Sequence, residues 1–251
     1  MTQIGGGWRL VIHDELASTS DQLIRLAEAG EPERLAILAR RQGAGRGRSG
    51  RAWQSPQGNL YLSALIRPSC PAREAAQWGL LAGLALIEAA REIDPEPAAL
   101  RLKWPNDLLR HGAKCAGILA ESMLAPDGGL AWLVLGFGVN LAVAPTLPDR
   151  PTACLGRAEP PEAFAARLLG RLDHWYAVWA AEGFRPIRAA WEEFGPSPGQ
   201  PIDARFGATT IVGTFAGLGP DGSLLLDTGE GRRTIAAGEV LETGSLSGGA
   251  S

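Results

Sequence analysis

The chain has 251 residues, 45% of them hydrophobic and 20% charged, which suits one large globular domain or a domain with a small appendage. That composition excludes a disordered, collagen-like or disulfide-scaffold chain. A net charge of −3 provides no basic footprint, so no nucleic-acid partner is expected. The N-terminus has no cationic leader, and the most apolar segment, residues 79–90, is too short to span a bilayer. Neither a membrane nor secretion is expected. Cys70, Cys115 and Cys154 are odd in number and have no CxxC spacing, as suits free thiols in the cytoplasm. His13, His111 and His174 stand apart, with no metal-ligand spacing.

In chain order, Trp8–Ile12 reads as a strand. Ser18-Thr19-Ser20-Asp21 then caps a helix that Gly30 and Pro32 end. Leu35–Ala39 and Asn59–Ile66 read as strands, the second with Leu60, Leu62, Ala64 and Ile66 on one face. Pro71–Ile93 reads as a central helix, apolar nearly all round. Short strands follow at Leu100–Trp104, Gly117–Met123 and Ala131–Phe137, the last two forming a hairpin. Residues 141–159 carry no period and read as a long surface loop, a candidate mobile element. Glu162–Gly183 and Ile187–Phe194 are expected helices. Three prolines in residues 195–201 make a stiff linker, and strands at Ile202–Phe206, Thr209–Ala216, Ser223–Asp227 and Arg232–Ala236 form a small β-barrel. The expected division is residues 1–196, 197–245 and a flexible tail, 246–251. The fold class is α+β: a mixed sheet flanked by helices, then the barrel.

Chemistry concentrates in four segments. Gly43-Ala-Gly-Arg-Gly-Arg-Ser-Gly-Arg51, followed by Ala52-Trp53, alternates glycine with arginine. Glycine lets backbone approach a ligand, and arginine forks onto carboxylate or phosphate. Three cations so close repel one another, so the loop is expected to be mobile until an anion arrives. It is not a Walker A loop. Lys103-Trp-Pro-Asn-Asp107 puts an amide and an acid at a strand end, where they could hold Mg²⁺ and phosphate; by composition alone a plain Pro-Asn-Asp turn is the favoured reading. Lys114 opens the third segment. Of the 24 basic residues, 22 are Arg, and Lys103 and Lys114 are the two lysines. A compact ammonium retained at two positions suggests sites that a guanidinium does not suit. Gly136-Phe-Gly-Val-Asn140 superficially matches a dinucleotide fingerprint but ends in Asn, with no helix following.

Together, Ser18-Thr19, Gln42-Gly-Ala-Gly-Arg-Gly-Arg-Ser-Gly-Arg-Ala-Trp53, Ser55-Pro56, Asn59-Leu-Tyr-Leu-Ser63, Lys103-Trp-Pro-Asn-Asp107, Lys114-x-Ala-Gly-Ile-Leu119 and Gly136-x-Gly-x-Asn140 resemble the biotin protein ligase family. The resemblance covers roughly residues 10–245. It implies a class II aminoacyl-tRNA synthetase-like catalytic fold with an SH3-like C-terminal barrel. It implies a ligase that makes biotinyl-AMP and pyrophosphate from biotin and Mg-ATP. The biotin then passes to a lysine of a biotin carboxyl carrier domain.

By the same resemblance, Ser18, Thr19, Ser20 and Gln42 would meet the ureido ring. Gly45, Arg46, Gly47, Arg48, Trp53, Lys114, Leu119, Gly136 and Gly138 would complete the biotin site. Arg48, Arg51, Lys103, Asn106, Asp107 and Asn140 would hold ATP. Arg48, Lys114 and Asp107 would be catalytic, and Asp107 would also hold the metal. Ser20 departs from the amide common at its position. The segment 141–159 has no aromatic residue to cover the adenine, leaving Leu147 or Leu155 for that role. Starting at the catalytic strand, the chain is expected to lack the helix-turn-helix domain of repressor members. Related ligases often pair through sheet edges, so a homodimer stays open. The rival readings are a lipoate or octanoate ligase of the same fold and a non-catalytic biotin- or nucleotide-binding regulator.

Overall fold

The computed structural model describes residues 2–156, 159–206, 209–236 and 239–241. The expected tail, residues 246–251, and the end of the expected barrel, 242–245, lie outside them. An eight-stranded mixed sheet is built from β1 (Thr2–Ile4), β2 (Trp8–His13), β3 (Leu35–Ala39), β4 (Leu60–Ile66), β5 (Leu100–Lys103), β6 (Asp107–Arg110), β7 (Ala113–Leu124) and β8 (Leu130–Val139). The order is β1-β2-β3-β4-β8-β7-β6-β5, with β2 and β3 parallel and every other pair antiparallel.

Helices cover both faces, which explains why all seven residues of β4 are buried. Helix α1 (Thr19–Glu28) packs Leu23 and Ala27 on one face, against Ile37, Leu65, Trp132 and Val134. Helices α2 (Ala75–Arg91), α3 (Pro161–Glu182) and α4 (Phe184–Phe194) cover the other. There Leu60, Leu62, Ala64 and Ile66 join Trp78, Leu81 and Leu84 in the main core. Twelve of the seventeen residues of α2 are buried, as its all-round apolar character requires. The helix is shorter than the expected 71–93, because residues 72–74 form a separate 3-10 turn. No helix among the described residues is long and apolar enough to cross a membrane.

A five-stranded antiparallel sheet follows: β9 (Pro201–Phe206), β10 (Thr209–Leu218), β11 (Leu224–Thr228), β12 (Gly231–Ile235) and β13 (Glu239–Leu241), in the order β12-β11-β10-β9-β13. Its core residues Phe215, Leu224, Leu226 and Val240 merge with the main core. Trp104 Nε1 donates to Gly222 O at 3.0 Å, and Leu218 N to Glu192 Oε1 at 2.8 Å. These bonds hold the small sheet beside β5 and α4.

Three strands were not anticipated: β13, which pairs with β9 at the edge of the small sheet, β1 and β6. β1 hairpins onto β2 through Gly5–Gly7. β6 returns directly from the Trp104–Asn106 turn, so Asp107 pairs with Lys103 instead of ending a strand. The segment from Leu141 is irregular as expected, but it is not a free surface loop. Asn59 Oδ1 accepts from the backbone N–H groups of Leu141, Ala142 and Val143, each at 3.0 Å. Lys114 N donates to Pro151 O, and Ala153 N to Lys114 O, both at 3.0 Å. Leu141 and Leu155 are buried.

The far end of this segment is held by Asp94, whose carboxylate is fully buried. It accepts from Gly156 N at 2.9 Å, Glu96 N at 2.9 Å and Arg110 Nε at 2.8 Å. Burial pushes the Asp94 pKa up, but these donors outweigh it and hold the carboxyl below its usual 3.8. A depressed pKa means that the ionised form stabilises the fold above the unfolded value. That contribution is lost as pH falls through the depressed value. Asp94→Asn, which sets an amide against the guanidinium, should therefore lose about 3 kcal/mol at neutral pH. It should also flatten the acid limb of stability, as urea melts from roughly pH 3 to 7 would show.

Candidate active site

A cavity of 740 Å³ opens among α1, the glycine–arginine loop, β7, β8, the 141–156 segment and the C-terminal sheet. Of the residues expected in the site, all but one line it: Ser18, Thr19, Ser20, Gln42, Arg46, Gly47, Arg48, Arg51, Trp53, Lys103, Asn106, Asp107, Lys114, Leu119, Gly136, Gly138 and Asn140. The exception, Gly45, is buried inside the loop. Its carbonyl accepts from Trp53 N at 2.9 Å, so it shapes the loop from within.

At the start of α1, Ser18 is the N-cap and accepts from Asp21 N at 3.2 Å. Thr19 N and Thr19 Oγ1 both donate to Gln42 Oε1, at 2.8 and 3.1 Å. Gln42 Nε2 donates to Ser55 Oγ at 3.3 Å. The helix start is thereby tied to the strand that feeds the loop, where Gly43 N and Ala44 N donate to Leu16 O and Ala17 O.

The loop folds into a small turn, with Gly47 N donating to Arg51 O at 2.7 Å and Arg46 bridging to Ala52. Its arginines do not simply repel. Arg46 hydrogen-bonds Asp21 and, at 3.0 Å, Glu121, so the protein's own acids neutralise it. Arg48 Nη1 donates to Asn106 Oδ1 at 3.3 Å. That bond joins the loop to the Lys103–Asp107 turn.

Beneath the loop, Lys114 Nζ donates to Asp107 Oδ1 at 2.6 Å, and both side chains are largely buried. The ammonium also stands 5.4 Å from the centre of the Trp53 ring. Trp53 lies flat against β8: a Cβ on Gly138 would fall 2.4 Å from Trp53 Cε2. Asn106 Nδ2 donates to Ile118 O at 2.7 Å, and Asn140 Nδ2 to Ala153 O at 3.1 Å. Both amides are thus held at the cavity wall.

Sequence reasoning missed several lining residues. Gly117 sat unassigned within the Lys114–Leu119 motif. Pro145, Asp149, Arg150 and Thr152 line the cavity from the irregular segment, and Arg205 from β9; nothing local marks them. Of the two leucines considered for the adenine, Leu147 lines the cavity, whereas Leu155 is buried in the core and cannot cover a ligand. Among the described residues there is no group of three or more His, Cys, Asp or Glu side chains that could hold a metal alone.

Residues 16–140 match the biotin/lipoate A/B protein ligase family, and residues 199–241 the biotin protein ligase C-terminal domain. A biotin--[acetyl-CoA-carboxylase] ligase of Paracoccus denitrificans is 40% identical over 233 residues, covering 89% of this chain and 96% of that protein. The chain belongs to the biotin protein ligase family. The bifunctional ligase/repressor BirA of Bacillus subtilis is 32% identical over 246 residues, 93% of this chain and 74% of that protein. The biotin protein ligase from Aquifex aeolicus, solved in complex with biotin and ATP, superposes with a TM-score of 0.75 at 28% identity, covering 93% of this chain and 97% of that one. The expected fold and family therefore hold, with β1, β6 and β13 added to the strands anticipated.

Proposed function

We propose that the protein joins biotin to ATP, forming biotinyl-5′-AMP and pyrophosphate, and then transfers biotin to a lysine of a biotin carboxyl carrier domain. One observation carries this reading. One cavity is lined by a hydroxyl-and-amide cluster (Ser18, Thr19, Ser20, Gln42), by a cationic cluster (Arg48, Arg51, Lys103, Lys114) and by Trp53, whose ring packs on Gly138 with Lys114 5.4 Å from its centre. A neutral bicyclic ring suits the first, while a carboxylate meeting a phosphate needs the second.

In the first step a biotin carboxylate oxygen attacks the α-phosphorus, and pyrophosphate leaves. Lys114 and Arg48 lower the repulsion between the two anions. Asn106, Asn140 and Arg51 hold the nucleotide. Asp107 and the substrate phosphates fit Mg²⁺, which takes few protein carboxylates, and the ion would neutralise phosphate charge. In the second step the carrier's neutral amine attacks the acyl carbon and AMP leaves, with Asp107 orienting that amine. The adenylate is spared hydrolysis while the loop covers it.

Biotin-dependent ATP–pyrophosphate exchange by the purified protein tests this reading; exchange driven by lipoate and not by biotin would overturn it. The match of residues 199–241 to a biotin ligase domain favours biotin. Arg48→Gly should loosen the loop from Asn106 and raise the release rate of biotinyl-AMP roughly tenfold, the worth of one charged hydrogen bond. Filter-trapping of radiolabelled adenylate measures that rate, and an unchanged rate would refute the covering role.

A further inference from the structure

Behind the hydroxyl cluster stands a residue that does not line the cavity. Ser63 on β4 is fully buried. Its Oγ lies 2.8 Å from Thr19 Oγ1 and 3.1 Å from Ser20 Oγ. The direction of every proton in this group follows from one fixed donor. Thr19 N–H can only donate, so the atom of Gln42 at 2.8 Å is its oxygen. Thr19 Oγ1, 3.1 Å from that same oxygen, must then spend its one proton there. With no proton left, Thr19 Oγ1 accepts from Ser63, and Ser63 spends its proton in turn. Ser20 Oγ therefore donates to Ser63. The chain runs Ser20 to Ser63 to Thr19 to Gln42, each hydroxyl giving its hydrogen inward.

We propose that Ser63 is a positioning residue that sets the specificity of this end of the cavity. By absorbing the Ser20 proton and filling one acceptor site on Thr19, it leaves both hydroxyls facing the ligand with lone pairs only. These two hydroxyls accept hydrogen bonds and give none, while Ser18 Oγ and Gln42 Nε2 beside them keep protons of their own. Where they meet the ligand they select a ring that carries N–H donors and reject one that offers sulfur or oxygen in their place, because lone pairs would then face lone pairs without water. This deepens the proposed function and rests on it: the cyclic urea of biotin has N–H donors, and the dithiolane of lipoate has none.

The test compares biotin with its cyclic carbamate analogue, in which one ureido N–H is replaced by oxygen at nearly constant shape. Both are titrated calorimetrically into the wild type, Ser63→Ala and Ser63→Cys, and biotin-dependent pyrophosphate exchange is run on the wild type. The wild type should prefer biotin by roughly tenfold or more. In Ser63→Ala the Ser20 hydroxyl loses its inward acceptor and can turn to donate to the ring oxygen, so the preference should shrink several-fold. Ser63→Cys, nearly isosteric but a weak hydrogen-bonding group, should fall between and serves if the alanine variant does not fold. A residue that merely filled space would weaken both ligands alike, so an unchanged ratio in the folded variant overturns the proposal. Wild-type exchange that does not depend on biotin would instead overturn the functional reading beneath it.

Discussion

Lys114→Ala should lower biotin-dependent adenylate formation by roughly 10²–10³-fold, the usual cost of removing one preorganised donor from a developing anion. The ammonium is held from two sides, by Asp107 at 2.6 Å and by the Trp53 ring at 5.4 Å. It needs no rearrangement to meet a carboxylate arriving over Trp53. The loss should fall on kcat more than on the KM for ATP, because a group that neutralises the meeting anions matters most where they meet. Lys114→Arg separates charge from shape. A Cβ added to Gly117 would stand 3.2 Å from Lys114 Nζ, so the side chain runs close over the β7 backbone, and the broader guanidinium fork cannot put its charge at the same point. Arginine should leave less than about a tenth of the wild-type activity, between the alanine variant and the wild type. Single-turnover formation of labelled biotinyl-AMP measures both variants. A fully active Lys114→Arg would show that the site needs only a positive charge there.

That expectation has a sequence-level counterpart. A chain that uses Arg for 22 of its 24 basic residues keeps lysine at 103 and 114, and both line the cavity. Motifs of this kind are legible because their parts are near neighbours: the capped start of α1, the glycine–arginine loop and the Lys103–Asp107 turn each lie within about a dozen residues. What could not be read depends on partners distant in sequence. Asn59 holds Leu141 from 82 residues away, and Asp94 holds Gly156 from 62. The segment between therefore reads as loose in sequence but is tied down in space. Arg205 lines the cavity from the C-terminal sheet, which Trp104 and Glu192 help to dock against the catalytic sheet. Strand β6 escaped because four residues straight after a proline turn show too little alternation to register.

Gly138→Ala should weaken biotin binding by roughly 10–100-fold, the equivalent of an overpacked contact of about 1–3 kcal/mol. The added methyl would stand 2.4 Å from Trp53 Cε2 and 2.6 Å from Nε1, and one of the two must move. The backbone cannot recede, since Gly138 pairs with Tyr61 on β4 and with Gly117 on β7 in the middle of the sheet. Trp53 is the part that gives way, and with it goes an apolar wall of the cavity. The KM for ATP should change less, because Asn106, Asn140 and Asp107 do not lean on Trp53 for their hydrogen bonds. A double-mutant cycle isolates the cause. In a Trp53→Ala background the methyl meets empty space, so Gly138→Ala should then cost almost nothing further in biotin affinity. Equal costs in both backgrounds would mean that the methyl acts on biotin directly and not through the indole.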